Sequence, residues 1–123
     1  MAENRITYRS KKGRDVVCTV SGHAIIRFVE RYSKHLGPVN PLRLKLLTMP
    51  KSELLALMQS QLETAKRVEH GKEINDRRRY EGGTIFFANT VLRFVFANSV
   101  LVTVESVCKR HNVHRMVFPQ VTP

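Results

Sequence analysis

A single α+β domain, with helices segregated from an antiparallel sheet, is the fold this sequence predicts. Three observations carry that expectation. Residues 20–36 divide into an apolar and a polar face at helical spacing. Residues 84–107 are rich in Val, Ile, Phe and Thr and are broken only by the turn-forming tripeptides ANT and ANS. The chain has 123 residues, 42% of them hydrophobic, enough for one modest core. The expected order is β-β-α-α-β-β-β: an N-terminal hairpin, two main helices, then a three- to four-stranded antiparallel sheet. The helices cover the sheet's inner face, and the other face is left partly open.

The elements follow in order. In RITYR (5–9), Ile6 and Tyr8 alternate with polar neighbours, as in a half-buried strand. SKKGRD (10–15) supplies a turn at its glycine, and the β-branched VVCTV (16–20) returns as a second strand. Ser21 stands where a helix N-cap belongs. Advancing about 100° per residue from His23 places Ala24, Ile25, Phe28, Val29, Tyr32 and Leu36 on one side of the helix. His23, Arg27, Glu30 and Lys34 fall on the other. Gly37 and Pro38 end the helix.

Pro41 opens a short helix with Leu42, Leu46 and Leu47 facing inward. A longer helix runs from Pro50 to His70 on the stripe Leu54, Met58, Leu62, Ala65 and Val68, with Gly71 as its stop. KEINDRRRYEGG (72–83) is a polar junction. Strands are expected near 84–89, 91–97 and 100–107, and the basic stretch from Cys108 onward ends in a short strand or packed tail.

Charge narrows the partners. The formal net charge is +11, and the excess of Lys and Arg over Asp and Glu is +5 in residues 1–36, +2 in 37–75 and +4 in 76–123. A polyanion is favoured, RNA ahead of DNA, and an acidic inhibitor protein fits the same charge. A membrane is not expected, because no apolar run approaches the roughly 20 residues that cross a bilayer. MAENRITYRSKKGRD has no apolar signal core, so a cytoplasmic location is the default. Cys18 and Cys108 are far apart and read as buried free thiols. No cofactor and no metal are expected; His111 and His114 have i, i+3 spacing but lack a supporting ligand set.

Metal-free RNA cleavage needs a base for the ribose 2′-hydroxyl, cations for the charge growing on phosphorus, and an acid for the departing 5′-oxygen. His23 has the right titration range and lies in the first turn of its helix, where backbone N–H groups attract anions. Arg27 suits phosphate through its forked donors. Glu30 orients a neighbour, or serves as base if His23 is the acid. Lys34 extends the stripe as a nucleic-acid contact. A wholly solvated polar face is the plain alternative. Arg93 and Glu105 interrupt apolar strands. They face solvent, pair with each other, or, in the case of Arg93, project into a phosphate cleft. Further phosphate contacts are expected from Arg31, from Lys11, Lys12 and Arg14 at the hairpin tip, from the triplet Arg77, Arg78 and Arg79, and from Arg110 and Arg115. His111 or His114 is a candidate acid.

VSGHAIIRFVERY (20–32) resembles the helix-opening His-Ala…Arg-Phe…Glu-Arg pattern of small toxin-like proteins in the barnase–EndoU–colicin–RelE superfamily, and TIFFANTVLRFVFANSVLVTVES (84–106) resembles the strand meander that follows their helices. The resemblance implies a concave sheet, metal-independent endoribonuclease activity, and His23, Arg27, Arg31 and Arg93 in or beside the cleft. The rival expectation is a non-enzymatic basic nucleic-acid-binding module, or a ribosome-associated or regulatory factor. A protein-interaction adaptor using the long helix is a third class.

Overall fold

The computed structural model describes residues 4–68 and 83–107. It begins with β1 (Arg5–Arg9) and β2 (Asp15–Val20), an antiparallel hairpin. Ser10 closes the turn: its Oγ accepts the Arg14 N–H at 3.1 Å, and Gly13 takes φ 79°, which glycine adopts without a Cβ clash. Ile6, Tyr8, Cys18 and Val20 point inward and are buried.

Helix α1 (Gly22–Leu36) starts and stops where its caps dictate. The Ser21 hydroxyl accepts the Ala24 N–H at 3.0 Å, and Gly37, at φ 84°, donates its N–H to Ser33 O at 3.1 Å. Ala24, Phe28 and Tyr32, four residues apart, form the buried ridge. Helix α2 (Pro41–Thr48) is capped by Asn40, whose Oδ1 accepts the Leu42 N–H at 2.9 Å. Leu46 is buried and Leu42 half-buried, but Leu47 is 73% exposed. The inward assignment of Leu47 is therefore corrected. Leu46 and Leu47 lie about 100° apart on the helix, and in α2 only Leu46 of the two is turned to the core.

Helix α3 spans Lys51–Glu63, not 50–70. Leu54, Met58 and Leu62 are buried as the stripe predicts, but the chain then extends into β3 (Lys66–Val68). The apolar spacing of Ala65 and Val68 fits a helix equally well, and no breaker precedes Gly71. A contact distant in sequence ends α3. Asn89 donates from Nδ2 to the Gln61 carbonyl at 3.2 Å and to Thr64 Oγ1 at 3.0 Å, which satisfies helix-terminal acceptors. The backbone edge of β4 (Ile85–Ala88) then offers a ladder to Lys66, Arg67 and Val68.

Strands β5 (Leu92–Ala97) and β6 (Val100–Ser106) complete the sheet. The expected order of elements holds in outline, with corrections in number and pairing. There are three helices and six strands among the described residues, and the sheet is mixed. Its order is β1-β2-β6-β5-β4-β3. Every neighbouring pair is antiparallel except β2 and β6, which run parallel through Thr19↔Val100 and Val20↔Leu101. Two hairpins, at the N-terminus and after the helices, thus merge into one sheet.

That sheet curls. Tyr8 on β1 meets Phe87 of β4 at 5.0 Å and Phe96 of β5 at 4.9 Å between ring centroids, although three and two strands respectively separate β1 from them in the sheet. The concave face encloses Phe87, Leu92, Phe94, Phe96, Leu101 and Val104 against α1 and α3. Each buried side chain of this size contributes on the order of 2 kcal/mol. Burial raises the Tyr8 phenol above its ordinary 10.0, with Cys18 adding to the shift and Arg67 opposing it, and burial raises the free Cys18 thiol above 9.0. The opposite face is less open than the sequence implies: Phe86 and Val95, paired across β4 and β5, are fully buried there, and the Arg93 guanidinium lies 4.7 Å above the Phe86 ring.

Candidate functional site

The site begins where β2 stops. After Val20 the chain leaves the sheet, and β6 continues past Leu101 with no β2 partner. Helix α1 occupies the space. Ser21 anchors it there: its N–H donates to Leu101 O at 3.1 Å, and its hydroxyl donates to Val102 O at 3.2 Å while also capping the helix. A register shift at Val95/Phe96, opposite Leu101 to Thr103, leaves Val102 without a Cα partner in β5 and turns its carbonyl to Ser21.

Between the polar stripe of α1 and this stretch of β6 lies an open cleft of about 460 Å³. His23, Arg27 and Arg31 line one wall, and residues 102–105 line the other. Arg27 is held from both sides. Its Nη1 donates to Glu30 Oε1 at 3.1 Å, and its Nε points at His23 Nε2 at 3.5 Å. The Arg27–Glu30 pair is well solvated, so it contributes little stability and mainly sets the direction of the guanidinium.

Arg31 stands one turn further along. Its Nε is buried and has no hydrogen-bond acceptor among the described residues. A shielded N–H without an acceptor costs about 1–3 kcal/mol, so a donor of this kind has a use for an anion.

Arg93 takes the second of its expected placements, the pair with Glu105. It does not line the cleft. It sits opposite Glu105 on β6, donates from Nε to Oε1 at 2.7 Å, and adds a second contact from Nη2 to the same oxygen. Glu105, not Arg93, faces the cleft. Glu30 stands behind Arg27 and outside the lining, and Lys34 is exposed further along α1. Lys11, Lys12 and Arg14 are exposed at the β1–β2 turn, the far end of β2 from Ser21, roughly 16 Å of strand away. Arg77, Arg78, Arg79, Arg110, Arg115, Cys108, His111 and His114 lie outside the described residues.

Sequence reasoning missed Thr103 as a lining residue. Its signal was present: Thr103 and Glu105 share a face at period two, beside the arginine-bearing strand. Among the described residues no three His, Cys, Asp or Glu side chains gather in a metal-like group, and no helix is long and apolar enough to cross a membrane.

No protein-family model, curated protein or solved structure matches the chain.

Proposed function

We propose that this is an RNA-interacting, toxin-like protein whose α1–β6 cleft takes a phosphodiester and cleaves it without metal. The observation that carries the reading is the presence of His23, Arg27, Arg31 and Glu105 around one cleft. The +11 charge and the likeness of residues 20–32 to the toxin-like superfamily point the same way.

In this mechanism the His23 imidazole takes the proton of a ribose 2′-hydroxyl. The 2′-oxygen attacks phosphorus, and the bond from phosphorus to the 5′-oxygen breaks. The departing oxygen takes its proton from water, which reaches the open cleft. Arg27 offsets the charge on the non-bridging oxygens. Glu30 keeps Arg27 aimed, and Arg93 holds Glu105 in position at the opposite wall. The products are a 2′,3′-cyclic phosphate and a 5′-hydroxyl.

The test is incubation of the pure protein with end-labelled RNA in EDTA. Cyclic-phosphate products are expected, with a fall of about 10²–10⁴-fold in rate for His23→Ala. Unchanged cleavage by that variant removes His23 from the chemistry. The second reading is a non-enzymatic nucleic-acid-binding module, favoured by the separate exposed cluster Lys11, Lys12 and Arg14. It predicts salt-sensitive binding with the RNA left intact.

A further inference from the structure

His23 and Arg27 touch, so their polar ends converge on a single phosphate position. Arg31 does not join them. It lines the same cleft one helical turn on, about 6 Å along the axis of α1. That offset is close to the distance between successive phosphates of an extended single strand. Arg27 already has a carboxylate partner in Glu30, whereas the Arg31 Nε is shielded and lacks an acceptor among the described residues. The opposite wall is a strand running beside α1, so the cleft is a channel between a helix and a sheet edge and not a closed pocket. A single strand can follow such a channel. In-line attack by a 2′-hydroxyl also needs a nucleotide released from helical stacking.

Resting on the reading of this cleft as a phosphodiester site, we infer that Arg31 forms a second phosphate subsite. The ligand is then single-stranded RNA carrying at least two consecutive phosphates, the first at His23 and Arg27 and the second at Arg31.

The experiment compares dinucleoside monophosphates (NpN), the same compounds with an added 5′- or 3′-terminal phosphate (pNpN, NpNp), and trinucleotides (NpNpN), each as a full mixed-base set. kcat/KM is measured for the wild type, Arg31→Gln and Arg31→Lys. In parallel, Kd is measured with 2′-O-methyl versions, which bind but lack the nucleophile. The second phosphate, on one side only, is expected to raise kcat/KM and tighten Kd by about tenfold or more. Arg31→Gln should erase that increment, so that a second phosphate no longer changes kcat/KM or Kd, and Arg31→Lys should restore part of it. The side that responds gives the polarity of the strand.

Equal handling of NpN and NpNpN by the wild type overturns the subsite. So does an Arg31→Gln loss of the same size for every length, which marks a structural role. If nothing is cleaved but the methylated strands keep their length-dependent increment, the catalytic reading fails and the subsite stands. Cleavage indifferent to the second phosphate does the opposite: the catalytic reading stands and the subsite fails.

Discussion

Arg93 and Glu105 face one another across β5 and β6, and the guanidinium donates two contacts to a single carboxylate oxygen. Their side chains are only 21% and 15% exposed. The arrangement turns a mid-strand arginine from a phosphate ligand into a brace for the carboxylate that faces the cleft. Glu105→Gln is expected to lower unfolding free energy by about 1–3 kcal/mol, because it removes the negative charge paired with a largely buried guanidinium. Arg93→Met with Glu105→Leu should cost less than the two single changes added together. Urea denaturation of the four proteins measures the coupling, and strict additivity would deny it.

Ser21 ties the start of α1 to β6 through its hydroxyl, which both donates to Val102 O and accepts from Ala24 N–H. Ser21→Ala removes both bonds. A loss of about 1–2 kcal/mol is expected, with faster amide exchange at Ala24. Substitution by Asp should recover the cap but not the donor to Val102, so only part of the stability returns. Full recovery would mean the bond to β6 contributes nothing.

Gln59 shields the open edge of β1. Its amide accepts the Thr7 N–H at 2.8 Å and donates to the Thr7 carbonyl at 2.9 Å, copying the pairing of a neighbouring strand. Gln59→Ala should destabilise by about 1–2 kcal/mol. The freed edge should also promote self-association. Denaturation and sedimentation at rising concentration check the two effects separately.

The β5–β6 turn places Asn98 at φ 53° and Ser99 at φ 60°. Both residues sit in the left-handed region that a two-residue hairpin requires, and serine adopts it less readily than glycine. Ser99→Gly is expected to stabilise the protein by roughly 0.5–1 kcal/mol. A lowered midpoint in thermal or urea unfolding would contradict that turn geometry.

Burial raises both Cys18 and Tyr8 above their ordinary values of 9.0 and 10.0. Below about pH 8 both groups are protonated in folded and unfolded chains, and the shift has no effect. As pH climbs, the unfolded chain releases these protons first, so it binds fewer than the folded one and stability falls. The urea midpoint should therefore decline above about pH 8, and Cys18→Ala should make the start of the decline shallower. A slope unaltered by Cys18→Ala would remove the thiol from the effect.

Much of this molecule is written in short-range patterns. The capped helix 22–36 follows from Ser21, the four-residue spacing of Ala24, Phe28 and Tyr32, and Gly37. The hairpins follow from alternation and turn residues, and the stripe of His23, Arg27, Glu30 and Lys34 follows from helical periodicity. Local interactions decide each of these within a few residues, so a linear reading recovers them. The rest depends on partners far apart in the chain. Asn89 ends α3 at a point where the apolar spacing would carry it on. The parallel seam of Val20 with Leu101 joins the two hairpins and leaves the edge of β6 facing α1. Glu105 lines the cleft and Arg93 stands behind it, because alternation puts the two on one face while pairing ties their charges together. Periodicity says which way a side chain points on its own element. It carries no information about which element will lie opposite, and for that reason the cleft became visible only once the chain was folded.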